Sequence, residues 1–157
     1  MAEKIPKSGQ PLGPELVLTR VIDAPRNLVF QAWTDAEHLK RWQGAPRGFT
    51  VTVEEMDIRT GGQFRICMHS PESGDHRIVG TYREVTPPER LIFTHRWLDA
   101  AGKALPETLV TINFKDCGGK TELTLRQTGF VSVESRDGHA LGWNSQLDQF
   151  TEYLARI

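Results

Sequence analysis

The residues of this sequence best placed to direct chemistry are polar groups set into apolar alternation. Between Arg90 and Leu98, Leu91, Phe93, His95 and Trp97 fall on every second position, so one strand face carries an imidazole and an indole among apolar side chains. Gln127 continues the alternation of Leu123 and Leu125, and Tyr82 stands two residues from Gly80. A buried polar tip without a partner costs about 1–3 kcal/mol. Such tips either converge on a ligand and fix its orientation, or pair with one another, with water and with backbone. Trp33, Trp97 and Trp143 add large apolar surface with one N–H each. Trp33, Tyr82, His95, Trp97, Gln127 and Trp143 are therefore the candidate wall of a binding site. The aromatics would supply contact area; His95, Tyr82 and Gln127 would supply directional hydrogen bonds.

Other chemistries have thinner support. His69 and His76 flank a turn with Glu72 and Asp75 close in sequence, and two histidines with a carboxylate can hold zinc. No short ligand spacing repeats, so they read as surface residues, and no metal or cofactor is expected. There is no Gly-x-Ser-x-Gly, and neither cysteine stands beside an evident base. The Gly61-Gly62 and Gly118-Gly119 pairs lack the spacing that cradles phosphates. Glu54, Glu55 and Asp57 alternate between faces and make no carboxylate pair. No catalytic residue is expected. An enzyme of cyclase or hydrolase type would need a polar residue of the wall as its acid or base.

The elements that must position the wall follow from periodicity. Trp143, Leu147, Phe150, Leu154 and Ile157 recur at helical spacing and predict a long amphipathic helix over Ser135–Ile157. Asn144, Gln146, Asp148, Gln149, Glu152 and Arg156 lie mostly off that stripe and would face water. Gly138 and Gly142 stand four apart on one side of the helix's first turns. They would either leave room for a ligand and soften the helix's first turns into a gate, or let the helix pack closely on a strand or mark a late helix start. His139, between them, reads as exposed.

Ahead of the helix, Glu15–Ala24 alternates as a strand, with Arg20 needing a paired charge if its face is the buried one. Pro25 starts a helix bearing Leu28, Val29, Ala32 and Trp33. Thr34 and Glu37 have capping-box spacing and predict a second short helix, with Leu39 and Trp42 turned inward and Gly44 and Pro46 at its end. Six period-two segments follow, around Phe49–Val53, Phe64–His69, Arg77–Val85, Arg90–Leu98, Thr108–Phe114 and Leu123–Gln127, joined by short turns. Short links imply antiparallel neighbours. The expected class is α+β, a strand, two helices, six strands and a long helix, with a curved sheet of about seven strands around the last element.

The 157 residues suit one domain, residues 15–157, after a loose Pro-, Gly- and Lys-containing extension over 1–14. A net charge of −1 gives no reason to expect nucleic acid or membrane as a partner. The amino terminus lacks the apolar core of a signal peptide, so cytoplasm is the expected compartment. There Cys67 and Cys117 would stay unbridged.

Local signatures in order extend this reading: Thr19-Arg20 with Asp23-Ala24-Pro25, Ala32-Trp33-Thr34-Asp35, Leu39 with Trp42, and Gly61-Gly62 with Phe64. Further on come Gly80 with Tyr82, Pro87-Pro88-Glu89-Arg90-Leu91, Thr121–Leu125, Gln127 with Gly129-Phe130, and Gly142-Trp143. Together, over about Leu16 to Leu154, they resemble the START-like, helix-grip (SRPBCC) superfamily, and within it the homologues of the activator of heat-shock protein 90 ATPase. The resemblance implies a Bet v 1-like grip of sheet on helix, with a hydrophobic cavity between them that holds a small apolar or aromatic ligand. It also implies, as an alternative, a stress-response protein that meets a chaperone. A homodimer is compatible with either.

Overall fold

The computed structural model describes residues 13–43 and 48–157. In chain order the elements are β1 (Leu16–Ile22), α1 (Arg26–Thr34), α2 (Ala36–Trp42), β2 (Thr50–Met56), β3 (Gln63–Ser70), β4 (Gly74–Thr86), β5 (Arg90–Trp97), β6 (Thr108–Cys117), β7 (Lys120–Thr128) and α3 (Val133–Arg156). The seven strands form one antiparallel sheet in the order β1-β7-β6-β5-β4-β3-β2. The expected strand, two helices, six strands and closing helix are all present. The expected amino-terminal extension lies outside the described residues up to position 12, as do Gly44 and Pro46.

The first strand of the chain forms one edge of the sheet and β2 the other. β1 pairs with β7, Leu16 opposite Gln127 and Ile22 opposite Thr121. Consecutive hairpins join all the other neighbours. Register shifts between Val53 and Glu55 in β2, and between Tyr82 and Glu84 in β4, are bulges that bend their strands. The β6–β7 hairpin turns on Gly118 and Gly119, both at positive φ, where a two-residue loop needs residues without a Cβ.

Period-two burial sets the inner face. Leu91, Phe93 and His95 of β5, Val110, Ile112 and Phe114 of β6, and Leu123, Leu125 and Gln127 of β7 are all buried. At Gly80 a Cβ would come within 1.9 Å of the Thr94 carbonyl oxygen and 2.5 Å of the Phe64 ring. Glycine there lets Phe64 lie flat on β4, against Tyr82 and Phe93.

Helix α3 crosses this face with Trp143, Gln146, Leu147, Phe150, Tyr153 and Leu154 buried. Two expectations fail here. Ile157 lies beyond the helix and is 56% exposed, and Gln146, expected to face water, is buried. The helix also begins earlier, capped by Ser132, whose hydroxyl accepts from the Ser135 N–H. Arg20 finds its paired charge: its guanidinium donates to Asn144 at 2.9 Å and to Asp148 at 3.2 Å, tying β1 to α3.

The two short helices seal one side. Phe30 joins Val29, Ala32 and Trp33 in the buried set of α1, while Leu28 is only half-buried. The expected capping box is replaced by a simpler cap. Asp35 accepts from the Glu37 and His38 N–H groups, and Thr34 donates back to the Phe30 carbonyl instead. Trp42 is fully buried, donates to the Ala32 carbonyl at 2.9 Å, and packs against Trp33 and Phe150. Among the described residues no helix is long and apolar enough to cross a membrane.

Candidate functional site

Between α3 and the inner face of β3, β4 and β5 lies a cavity of about 340 Å³. Small-molecule sites run from roughly 300 to 1,000 Å³, so this space is of ligand size. Its floor is apolar: Phe64 and Ile66 from β3, Ile78 and Tyr82 from β4, Leu91 and Phe93 from β5. Trp33 of α1, Leu39 of α2 and Gln43, which caps the carboxy terminus of α2, form one end. The lining residues that reach solvent, Glu134, Gly138 and Gly142, sit in the amino-terminal half of α3, and the mouth opens there.

The two glycines face open space at this mouth. A Cβ built at Gly138 or at Gly142 meets no atom within 4 Å. The alternative, close packing of helix on strand, is excluded by that empty space.

Five of the six expected wall residues line the cavity: Trp33, Tyr82, His95, Trp97 and Trp143. Gln127 does not. It is fully buried behind the wall, where its Oε1 accepts from the Trp143 indole at 2.8 Å and its Nε2 donates to Thr108 Oγ1 at 2.8 Å. Thr108 in turn donates to the His95 carbonyl at 3.0 Å. This chain of hydrogen bonds runs from α3 through β7 and β6 to β5. It locks the Trp143 ring and the His95 backbone into one unit, so Gln127 positions the wall without touching its contents.

His139 was expected to be exposed. It is half-buried and belongs to the wall. Its Nδ1 donates to the Ser135 carbonyl at 2.7 Å, leaving Nε2 to accept from the Trp97 indole at 3.2 Å. The His95 ring lies 5.9 Å from both Trp97 and His139 and 6.0 Å from Trp143. Burial, then the neighbouring His139, push the His95 pKa down to about 3, so this imidazole is neutral at physiological pH. Burial alone pushes the Tyr82 hydroxyl above its ordinary range.

Four buried polar atoms on the cavity's lining residues have no hydrogen-bond partner among the described residues: Trp33 Nε1, Gln43 Oε1, His95 Nδ1 and Gln146 Oε1. Buried polar groups are nearly always paired, so four orphans on the residues of one lining stand out. Sequence reasoning missed Gln43, Gln146 and His139. A usable signal existed for two of them: His139, Trp143 and Gln146 recur at i, i+4 and i+7, a helical face of their own beside the apolar stripe.

The family's sequence profile matches residues 23–155, nearly the whole chain, and carries the description Activator of Hsp90 ATPase homolog 1-like protein. The chain belongs to this family. Its architecture is the START-like helix-grip fold. A protein of Chromobacterium violaceum is 30% identical, with 88% of this chain covering 94% of that one at a TM-score of 0.79. The AHSA1 protein of Silicibacter pomeroyi is 26% identical, with coverages of 90% and 98% and a TM-score of 0.82. A protein of Arthrobacter aurescens, 23% identical with coverages of 91% and 87% and a TM-score of 0.81, shares the fold. No curated protein matches the chain.

The remaining sequence expectations concern cysteine and histidine. Cys67 is buried and Cys117 exposed, and neither is bridged. His69 and His76 do not face each other across their hairpin: His69 opposes Asp75, and His76 opposes Met68. His76 bonds Ser73 and stacks on Phe49.

Proposed function

We propose that this family member binds a small, neutral, largely apolar molecule between sheet and α3, and holds it by hydrogen bonds at a few fixed points. The observation that carries the reading is the ligand-sized cavity itself, walled by apolar and aromatic side chains with a few polar ones, Gln43, His95 and Gln146, set among them. Their amides give and take hydrogen bonds, and the neutral imidazole offers one donor and one acceptor. A ligand with a hydroxyl or amine and a carbonyl on an aromatic or alicyclic body matches that set. His95, neutral, puts no charge at the buried floor of the cavity, and Glu134, the one carboxylate on its lining, is exposed at the rim. A charged ligand would lack a partner inside and incur the desolvation cost of its charge. Affinity would come chiefly from buried apolar area, at about 25 cal/mol per Å² before the costs of association.

The test is titration with an apolar fluorescent probe, followed by tryptophan emission, with native mass spectrometry for a co-purified ligand. Binding by the wild type and its loss in a His95→Ala, Trp97→Ala double variant of intact fold is the expected result. Equal binding by both proteins refutes the reading.

The family's description supplies a second reading, contact with a chaperone. Val131, Val133 and Leu141, exposed around the start of α3, are apolar surface that such contact would use. Stimulation of the chaperone's ATPase, abolished by charged substitutions at these positions and untouched by the cavity variant, would favour it.

A further inference from the structure

The outer face of β3, away from the cavity, carries a second cluster. Cys67 and His69 are two residues apart on that face, and Asp75 opposes His69 on β4. Cys67 Sγ lies 3.7 Å from His69 Nδ1, and Asp75 Oδ1 lies 2.7 Å from the same nitrogen. All three atoms fall within 4.8 Å of one another. Because thiol and carboxylate approach one nitrogen, the group is no proton relay, which would need both ring nitrogens. The other nitrogen, Nε2, is already held by Thr52 Oγ1 at 2.8 Å. Histidine that ligates a metal commonly has its far nitrogen fixed in this way.

We propose that Cys67, His69 and Asp75 form a site for a zinc-class divalent cation on the outer face of the β3–β4 hairpin, with water in the fourth position.

Thiolate, imidazole and carboxylate are all zinc ligands, at about 2.3, 2.0–2.1 and 2.0–2.2 Å. Tetrahedral angles at those lengths separate the ligand atoms by about 3.3–3.6 Å. The sulfur–nitrogen distance is close to that already. The nitrogen–oxygen distance must widen by about 0.6–0.9 Å on that geometry. Rotation of the Asp75 side chain, which is 48% exposed, supplies the change.

The surrounding charges have been weighed by the fold itself. Arg77 stands opposite Cys67, but its guanidinium donates to both oxygens of Glu54, at 3.1 and 3.2 Å. Arg65 donates to the same carboxylate at 3.0 Å. One carboxylate against two guanidiniums leaves a positive excess, which weakens cation binding. Burial pushes the Cys67 thiol up and Arg77 offsets that only in part, so the metal itself must displace the thiol proton. Thiolate and Asp75 together neutralise a divalent ion. The sequence signal was the Cys-x-His spacing with a cross-strand aspartate, invisible until the hairpin register was known.

The experiment uses the full chain, reduced and stripped with chelator, titrated with cobalt(II) and then zinc. Expected is one cobalt per chain with a thiolate-to-metal charge-transfer band, displaced by zinc. The band disappears in Cys67→Ser and persists in Cys117→Ser. Affinity falls by about tenfold or more in His69→Ala and Asp75→Asn, and about 10- to 100-fold in Thr52→Val, which keeps all three ligands. If Cys67→Ser is unstable, the partly exposed His69 and Asp75 variants, checked by circular dichroism, carry the test. Absence of a stoichiometric band, its survival in Cys67→Ser, an unchanged affinity in both the His69 and Asp75 variants, or its loss in Cys117→Ser overturns the proposal.

Discussion

Replacing Gln127 by methionine tests the hydrogen-bond chain behind the cavity wall. The two side chains are close in length, so the substitution removes polar atoms and little volume. Trp143 Nε1–H, now bonded to Gln127 Oε1, becomes a buried donor without an acceptor. That costs about 1–3 kcal/mol. Thr108 Oγ1 loses the bond from Gln127 Nε2 but keeps its own to the His95 carbonyl, a loss of about 0.5–1.5 kcal/mol. The sum is about 1.5–4.5 kcal/mol, and at about 2–4 °C per kcal/mol for a chain of this size the midpoint drops by about 3–18 °C. Urea unfolding followed by circular dichroism and by tryptophan emission measures both quantities. In a second background, Trp143→Phe, the same substitution leaves no indole unpaired and costs about 1–2 kcal/mol less. Two results would refute the reasoning: a loss below about 0.5 kcal/mol, which is ordinary for a surface change, or strict additivity of the pair.

Two further outcomes follow from other parts of the wall. His95 is buried neutral, with a folded-state pKa well below the unfolded value of about 6.5. Between those values the unfolded chain binds the extra proton, so stability falls as pH drops from about 6.5 toward 3, by about 1.4 kcal/mol per unit, and is flat above. Denaturation across that range should lose this slope in His95→Leu; an unchanged slope assigns it to other groups. Gly142→Ala should stabilise the chain by about 0.5–1 kcal/mol, because an added methyl meets no atom within 4 Å and the helix gains propensity. Gly142→Leu should keep that stability while weakening binding of an apolar probe. Destabilisation by the alanine would show that the space at the mouth is not open.

Period and turn chemistry made nearly all of the fold legible. Strand alternation located the inner face of β5, β6 and β7 residue by residue, because a half-buried sheet punishes any slip of register. The wall was legible where an aromatic broke an apolar pattern, as at Trp97 and Trp143. It was missed where polar residues lay on a helix. Gln146 and His139 share a helical face with Trp143, and that face reads as inward only once the cavity beside α3 is known. Gln127 was correctly turned inward but given the wrong partner, since alternation fixes a face and says nothing of what stands across from it. The Asp35 cap displaced the expected capping box for a related reason: Thr34 found the Phe30 carbonyl within its own helix.

The pairing of β1 with β7 sets an order of events during synthesis. Leu16 must meet Gln127, so more than a hundred residues separate partners on neighbouring strands. Hairpins β2 through β7 have local partners and can zip as they emerge from the ribosome, each closing a short loop. The first strand made has no neighbour until the last strand is out, and α3 comes later still. An arrested nascent chain ending before Lys120 should therefore carry β1 as an unpaired edge, sensitive to protease and in need of a holding partner. Release of the finished chain would add β1 to the sheet beside β7 in one step.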